Sequence, residues 1–177
     1  MSPKGRPLSD ATDTASGTRW LWLSLGIVVA DQATKAAMLA TFRPGEARPF
    51  TPFFSLVLTF NPGAAFSFLA SADGWQRWFF AAVAIGASVL IAWLLRRGGS
   101  RLYCAGLALI AGGALGNLWD RLAIGQVVDF LLFHYAGWAY PAFNVADSAI
   151  TVGAGLLIAD SFRHRHAGRP GTAPKGS

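Results

Sequence analysis

The chain has 177 residues, 53% of them hydrophobic and only 14% charged, with a net charge of +6 and a mean hydropathy of +0.40. Soluble domains usually carry about 25% charged residues, so this composition points to the membrane. The basic residues gather at the tails and in one short loop rather than on a face interleaved with aromatics, which argues against nucleic-acid binding, and the lone Cys104 excludes an internal disulfide and a Cys-rich metal site.

In chain order, residues 1–18 are rich in small, polar and charged residues and are expected to form a frayed tail. A first apolar span covers residues 20–42 and contains Asp31 and Lys35. Those charges, and the lack of a small-x-small cleavage site, argue against a cleaved signal peptide. Residues 43–76 form an outer insertion. Within it, residues 50–60 are rich in aromatic and β-favouring types and end at the turn signal Asn61-Pro62-Gly63. They predict a short sheet element on the outer membrane face, followed at 64–75 by a short interfacial helix. Residues 78–95 are uncharged between Arg77 and Arg96 and predict the second span. The third covers 102–121 after Arg101. Residues 125–133 make a second apolar outer segment, read as a loop with Asp129 at its centre. The fourth span covers 142–162, and residues 164–177 form a polar tail. Each span is close to the ~20 residues needed to cross a bilayer.

The expected architecture is an all-α membrane protein: a four-transmembrane-helix bundle over residues 19–163, with a small periplasmic β-element and the short interfacial helix. Lys4, Arg6 and Arg19 precede the first span, Arg96, Arg97 and Arg101 join the second to the third, and Arg163, Arg165, Arg169 and Lys175 follow the fourth. The positive-inside rule then places both termini in the cytoplasm. No internal repeat is visible, which weakens a transporter reading.

Counting along the helices brings the polar residues to one level. Asp31 lies 12 residues beyond Arg19, Asn117 and Asp120 lie 16 and 19 beyond Arg101, and Asp147 lies 16 before Arg163. At ~1.5 Å per residue these are roughly 18 to 28 Å above the cytoplasmic ends. Asp129 and Asp147 sit in apolar sequence with no basic residue within one helical turn. Ionised carboxylates there are expensive, so they are paired or functional. Two such acids flanking one outer loop predict a pair sharing a proton. Asp31 and Lys35, spaced i, i+4, and Asp120 beside Arg121 fit either structural ion pairs or parts of the site. Asn117 and Asn144 fit interhelical hydrogen bonding or substrate contact. Gly112-x-x-x-Gly116 predicts close helix approach. A Ser148–Lys35 dyad is a further arrangement, disfavoured because Asp31 keeps the lysine charged. No His pair with metal-ligand spacing lies on a span, so no cofactor or metal is expected.

Five ordered motifs carry a resemblance: Asp-Gln-Ala-Thr-Lys at 31–35, Asn-Pro-Gly-Ala-Ala-Phe at 61–66, Gly-Gly-Ala-Leu-Gly-Asn-Leu-Trp-Asp-Arg at 112–121, Val-Val-Asp-Phe at 127–130 and Phe-Asn-Val-Ala-Asp-Ser at 143–148. Together they resemble the lipoprotein signal peptidases (signal peptidase II), bacterial inner-membrane aspartic proteases. The resemblance implies that Asp129 and Asp147 are the catalytic dyad. It also implies that Asn61, Gly63, Asn117, Arg121 and Asn144 line the substrate or inhibitor site, with Asp31, Lys35 and Asp120 supporting it. The implied substrates are diacylglyceryl-modified prolipoproteins, cut just before the lipidated cysteine, and the implied inhibitors are of the globomycin type. Membrane lipid is the other expected partner. A small proton- or ion-conducting bundle is the alternative, since intramembrane acids also line ion pathways. Against it, the polar residues occupy only the outer half of the spans and leave the cytoplasmic half apolar.

Overall fold

A computed structural model describes residues 17–63 and 74–167. The interfacial helix expected at 64–75 falls almost wholly outside the described residues, as do 1–16 and 168–177 of the expected tails. A 3-10 turn at Gly17–Trp20 leads into helix α1, Leu21–Thr41. Strands β1, Ala47–Thr51, and β2, Phe54–Asn61, follow, then helices α2, Trp75–Arg97, and α3, Arg101–Ala123. Strands β3, Val127–Tyr135, and β4, Trp138–Ala139, precede helix α4, Val145–Ala167. Among the described residues, four helices are long and apolar enough to cross a membrane.

The helix ends follow local chemistry. Ser100 caps α3: its hydroxyl accepts the Tyr103 N–H at 3.1 Å. Gly98 closes α2 with φ +74°, a conformation costly for any residue with a Cβ. The first two residues of the expected N-terminal tail that are described, Gly17 and Thr18, belong to the 3-10 turn. Gly17 packs on the Leu95 carbonyl and Cys104 at the foot of the bundle.

Helix α3 is the axis, 56% buried over its span against 22% for each of the others. Its glycines divide between two neighbours. A Cβ on Gly106 would stand 2.8 Å from the Gly153 carbonyl of α4, and one on Gly113 would strike the Ala146 carbonyl. A Cβ on Gly112 would meet Ser24 of α1 at 2.8 Å, and one on Gly116 would meet the Asp31 carboxylate at 2.7 Å. The expected small-residue pair therefore brings α1 close, and two other glycines seat α4.

The strands form one antiparallel sheet in the order β1-β2-β3-β4 at the end of the bundle opposite Arg96, Arg97 and Arg101. Asp129 pairs with Thr59 across β2 and β3. The segment expected to be a loop around Asp129 is thus a strand. Its residues Val127 to Phe130 are all buried, so the apolar/polar alternation that marks a half-buried strand is missing. Met38, Leu58, Val128 and Phe130 form the core between the sheet and α1. The Phe143 carbonyl accepts the Phe130 and Leu131 N–H groups at 3.0 and 2.8 Å, and the Phe143 N–H returns to the Leu131 carbonyl at 3.0 Å. These bonds stitch the entry to α4 onto β3. They also delay the helix to Val145, three residues beyond where the apolar run begins.

Candidate active site

Asn144 is the residue before the first turn of α4, and Asp147 lies three further on. The Asn144 Oδ1 accepts the Asp147 N–H at 2.9 Å, and the Asp147 carboxylate accepts the Asn144 N–H at 3.3 Å. This reciprocal arrangement is a capping box. Because β3 is stitched to the same segment, the other end of the Asn144 amide reaches it. Nδ2 donates to the Asp129 carboxylate at 2.8 Å and also lies 3.2 Å from the Val128 carbonyl. One asparagine therefore holds both acids. Asn117 adds a bond to Asp147, its Nδ2 donating at 2.7 Å.

Asp129 is 2% exposed. Burial among Val127, Val128 and Phe130, and next the charge of Asp147, push its carboxyl up to about 7, although hydrogen bonds from Asn61 and Asn144 and the charge of Lys35 oppose the rise. Asn61 is itself shaped by Gly63: its Oδ1 accepts the Gly63 N–H at 2.9 Å. Gly63 has φ +96°, and a Cβ there would stand 2.6 Å from the Phe80 ring, so only glycine fits without strain.

Behind the two acids lies a buried ionic cluster. Lys35 Nζ is 2.8 Å from Asp31, as the i, i+4 spacing predicts, and also 2.8 Å from Asp120. Its third contact is the Asn117 Oδ1 at 3.0 Å. The carboxylates tie the elements together: Asp31 accepts the Ala146 N–H at 2.9 Å and Asp120 the Val128 N–H at 3.1 Å. The pairing of Asp120 with its neighbour Arg121, one of the two readings of that dipeptide, is not formed. Arg121 instead donates to the Asn117 carbonyl at 3.1 Å, lies over the Phe80 ring, and faces Asp147 and Asp129 as well as Asp120. The Ser148–Lys35 dyad is also not formed, since the Ser148 hydroxyl donates to the Asn144 carbonyl at 2.9 Å.

All ten residues singled out in the sequence therefore join one connected group. Gln32 was missed. Its amide donates to Asp120 at 2.9 Å and Asp31 at 3.1 Å, bracing both. A polar residue next to Asp31 within an apolar span was the available signal. Asp160 was also passed over. It is buried at the arginine end, where Ser100 donates to it, so that half of the bundle is not wholly apolar as expected.

Each acid opens to its own hollow. One of about 330 Å³ is lined by Tyr140, Phe143, Asp147, Ser148, Thr151 and Val152. The other, about 410 Å³, is bounded by Thr59, Asn61, Pro62, Asp129 and Pro141. Among the described residues no group of three or more His, Cys, Asp or Glu side chains is arranged to hold a metal ion.

Comparison with known proteins matches this framework. Residues 23–163 fit the family model described as signal peptidase (SPase) II. A protein named lipoprotein signal peptidase from Ralstonia nicotianae is 59% identical over 145 residues, covering 80% of this chain and 84% of that protein. One of the same name from Burkholderia ambifaria is 56% identical over 151 residues, covering 85% and 91%. A solved bacterial membrane enzyme, 25% identical, superposes with a TM-score of 0.76 over 88% of this chain and 94% of its own. A second, 28% identical, gives 0.72 over 80% and 91%.

Proposed function

We infer the reaction from two facts taken together: the chain belongs to the signal peptidase II family, and one asparagine holds Asp129 and Asp147 in a common site. Family and relatives make it a multi-span membrane protease of lipoprotein processing. The finer reading is an intramembrane aspartic endopeptidase. It removes the signal peptide from diacylglyceryl-modified prolipoproteins by cutting just before the lipidated cysteine.

Two carboxyl groups that share Asn144 and feel each other's charge cannot both ionise cheaply, so one keeps a proton. The ionised member takes a proton from a water held between them, and that water attacks the scissile carbonyl. The protonated member donates to the carbonyl oxygen, and a proton then passes to the leaving amine. No covalent intermediate with the enzyme forms. Asn61, Asn117 and Asn144 each carry a donor and an acceptor suited to an unwound substrate backbone. The charged groups outside the bundle end favour both termini in the cytoplasm of an inner membrane, with the sheet on the outer face. Acyl chains on the substrate cysteine hold the scissile bond at that level. Globomycin-type peptides compete for the same hollows.

The single observation carrying this reading is the Asn144 clamp on both acids. The test is cleavage of a diacylglyceryl-modified lipobox peptide by the purified chain. Asp129→Asn and Asp147→Asn should each lower kcat about 10⁴-fold while the protein still accumulates in the membrane. Near-normal turnover by either variant would overturn the dyad. Proton flux in proteoliposomes without cleavage would favour the ion-conducting alternative, which buried Asp160 at the arginine end supports.

A further inference from the structure

We propose that Lys35 is a positioning residue for the acid pair: through the Asn117 amide it holds Asp147 as the charged member and leaves the shared proton on Asp129. This rests on the reading of Asp129 and Asp147 as the working dyad.

The argument begins with what an ammonium group can do. Lysine has three donors and no acceptor. Lys35 directs them at Asp31, Asp120 and the Asn117 side chain, at 2.8, 2.8 and 3.0 Å. The atom of Asn117 facing Nζ must therefore be the oxygen. With the oxygen turned inward, Nδ2 is turned toward Asp147, where it donates at 2.7 Å. The Asn144 Nδ2, 3.1 Å from the same Asn117 oxygen, reinforces that orientation. A donor aimed at a carboxylate favours its charged form.

A second, independent feature acts in the same direction. Asp147 lies in the first turn of α4 and closes the capping box with Asn144. Negative charge is favoured there by the dipole of α4. Asp129 has the opposite setting, a strand residue at 2% exposure beside buried Val128 and Phe130. Its carboxyl, pushed up to about 7 chiefly by burial and then by the Asp147 charge, retains its proton below that pH. The other charged groups facing the pair are Asp31 and Lys35 on α1 and Asp120 and Arg121 on α3. Arg77 on α2 is turned instead to the Leu122 carbonyl at 2.9 Å.

The consequence is a division of labour. Asp147 accepts the proton of the attacking water, and Asp129 donates to the carbonyl oxygen. Lys35 is 2% exposed with its three donors taken by Asp31, Asp120 and Asn117, so it acts by fixing the Asn117 amide, which outweighs the opposing pull of its charge on Asp129.

The experiment uses the full chain with Lys35→Met, Asp31→Asn and Asp120→Asn combined, so that no buried carboxylate is left without its cation. Peptide cleavage is followed across pH. The expected result is an unchanged KM, a kcat about 100-fold lower, and an acid-side fall-off displaced to higher pH. A folded triple variant with unaltered kcat and pH profile would reduce Lys35 to a purely structural ion pair and overturn the proposal. Infrared titration of the otherwise unaltered chain gives a readout independent of turnover and of that variant's folding. The protonated-carboxyl band that vanishes above pH about 7 should be absent in Asp129→Asn. Its loss in Asp147→Asn instead would overturn the assignment. If the unaltered chain cleaves no lipid-modified peptide, the proposed function fails, and the infrared result still decides where the proton sits.

Discussion

At the arginine end of the bundle, Arg19, Arg96, Arg97, Arg101 and Arg163 are all exposed, and the interior beneath them is Ile91, Leu95, Cys104 and Leu107. At the sheet end, Asp31, Lys35, Asp120 and Asp129 are buried and cross-linked through Asn117 and Asn144. The first set keeps its water and contributes through long-range charge, which orients a chain in a bilayer. The second has lost its water and must find every partner within the protein. The same residue types are therefore nearly independent of one another at one end and mutually dependent at the other.

The sharpest way to break that contrast is Lys35→Met alone. It strands two carboxylates in the interior, and removal of one member of a buried ionic group costs about 3–5 kcal/mol. Denaturation of the purified protein in detergent should show it as a large loss of stability. A loss below about 1 kcal/mol would mean that water reaches the cluster.

Gly116→Ala comes next. The new Cβ would lie 2.7 Å from the Asp31 carboxylate, which Lys35 and the Ala146 N–H hold in place. Overpacking of this kind costs about 1–3 kcal/mol, and cleavage should fall with it. Gly155→Ala on α4 meets nothing within 4 Å and should leave both stability and cleavage unharmed, since alanine suits a helix better than glycine.

Acidity offers a finer probe. Asp129 is raised from 3.8 to about 7 in the folded chain. Between those values the folded state holds a proton that the unfolded state has released, so this group's contribution to stability falls as pH rises across the window and levels off above about 7. Asp129→Asn should flatten that slope. Cleavage that needs the Asp129 proton should likewise decline as pH passes about 7, and a rate still rising well above that value would contradict the role given to it.

The smallest effect is expected from Arg97→Gln at the opposite end. It removes an exposed charge and its stacking 3.6 Å over Trp93, a contact worth about 0.5–1 kcal/mol. Peptide cleavage in detergent should not change.

Legibility divides along the same line. The helices announce themselves because 18 or more apolar residues between arginines have few other outcomes in a bilayer. The common level of Asp31, Asn117, Asp120 and Asp147 follows from the helical rise alone. The strand at Asp129 was hidden, because burial on both faces erases alternation and leaves only an apolar run. Asp120 beside Arg121 reads equally as an ion pair or as part of the site, yet successive residues on a helix point about 100° apart, and Asp120 is turned inward to Lys35. Gln32 lies within the first motif, but its role is not legible there, since one of its two carboxylate partners, Asp120, lies on α3.

By itself the sequence determined four membrane-length helices, the polarity of their ends, and which side chains were too costly to bury alone. Tertiary structure alone decided who satisfies whom: Lys35 with Asp120, Asn117 with Asp147, and Asn144 with both acids. Helical rise and hydropathy are properties of a chain segment, whereas a buried hydrogen bond depends on which backbone the packing of α3's glycines and the pairing of β3 bring within about 3 Å.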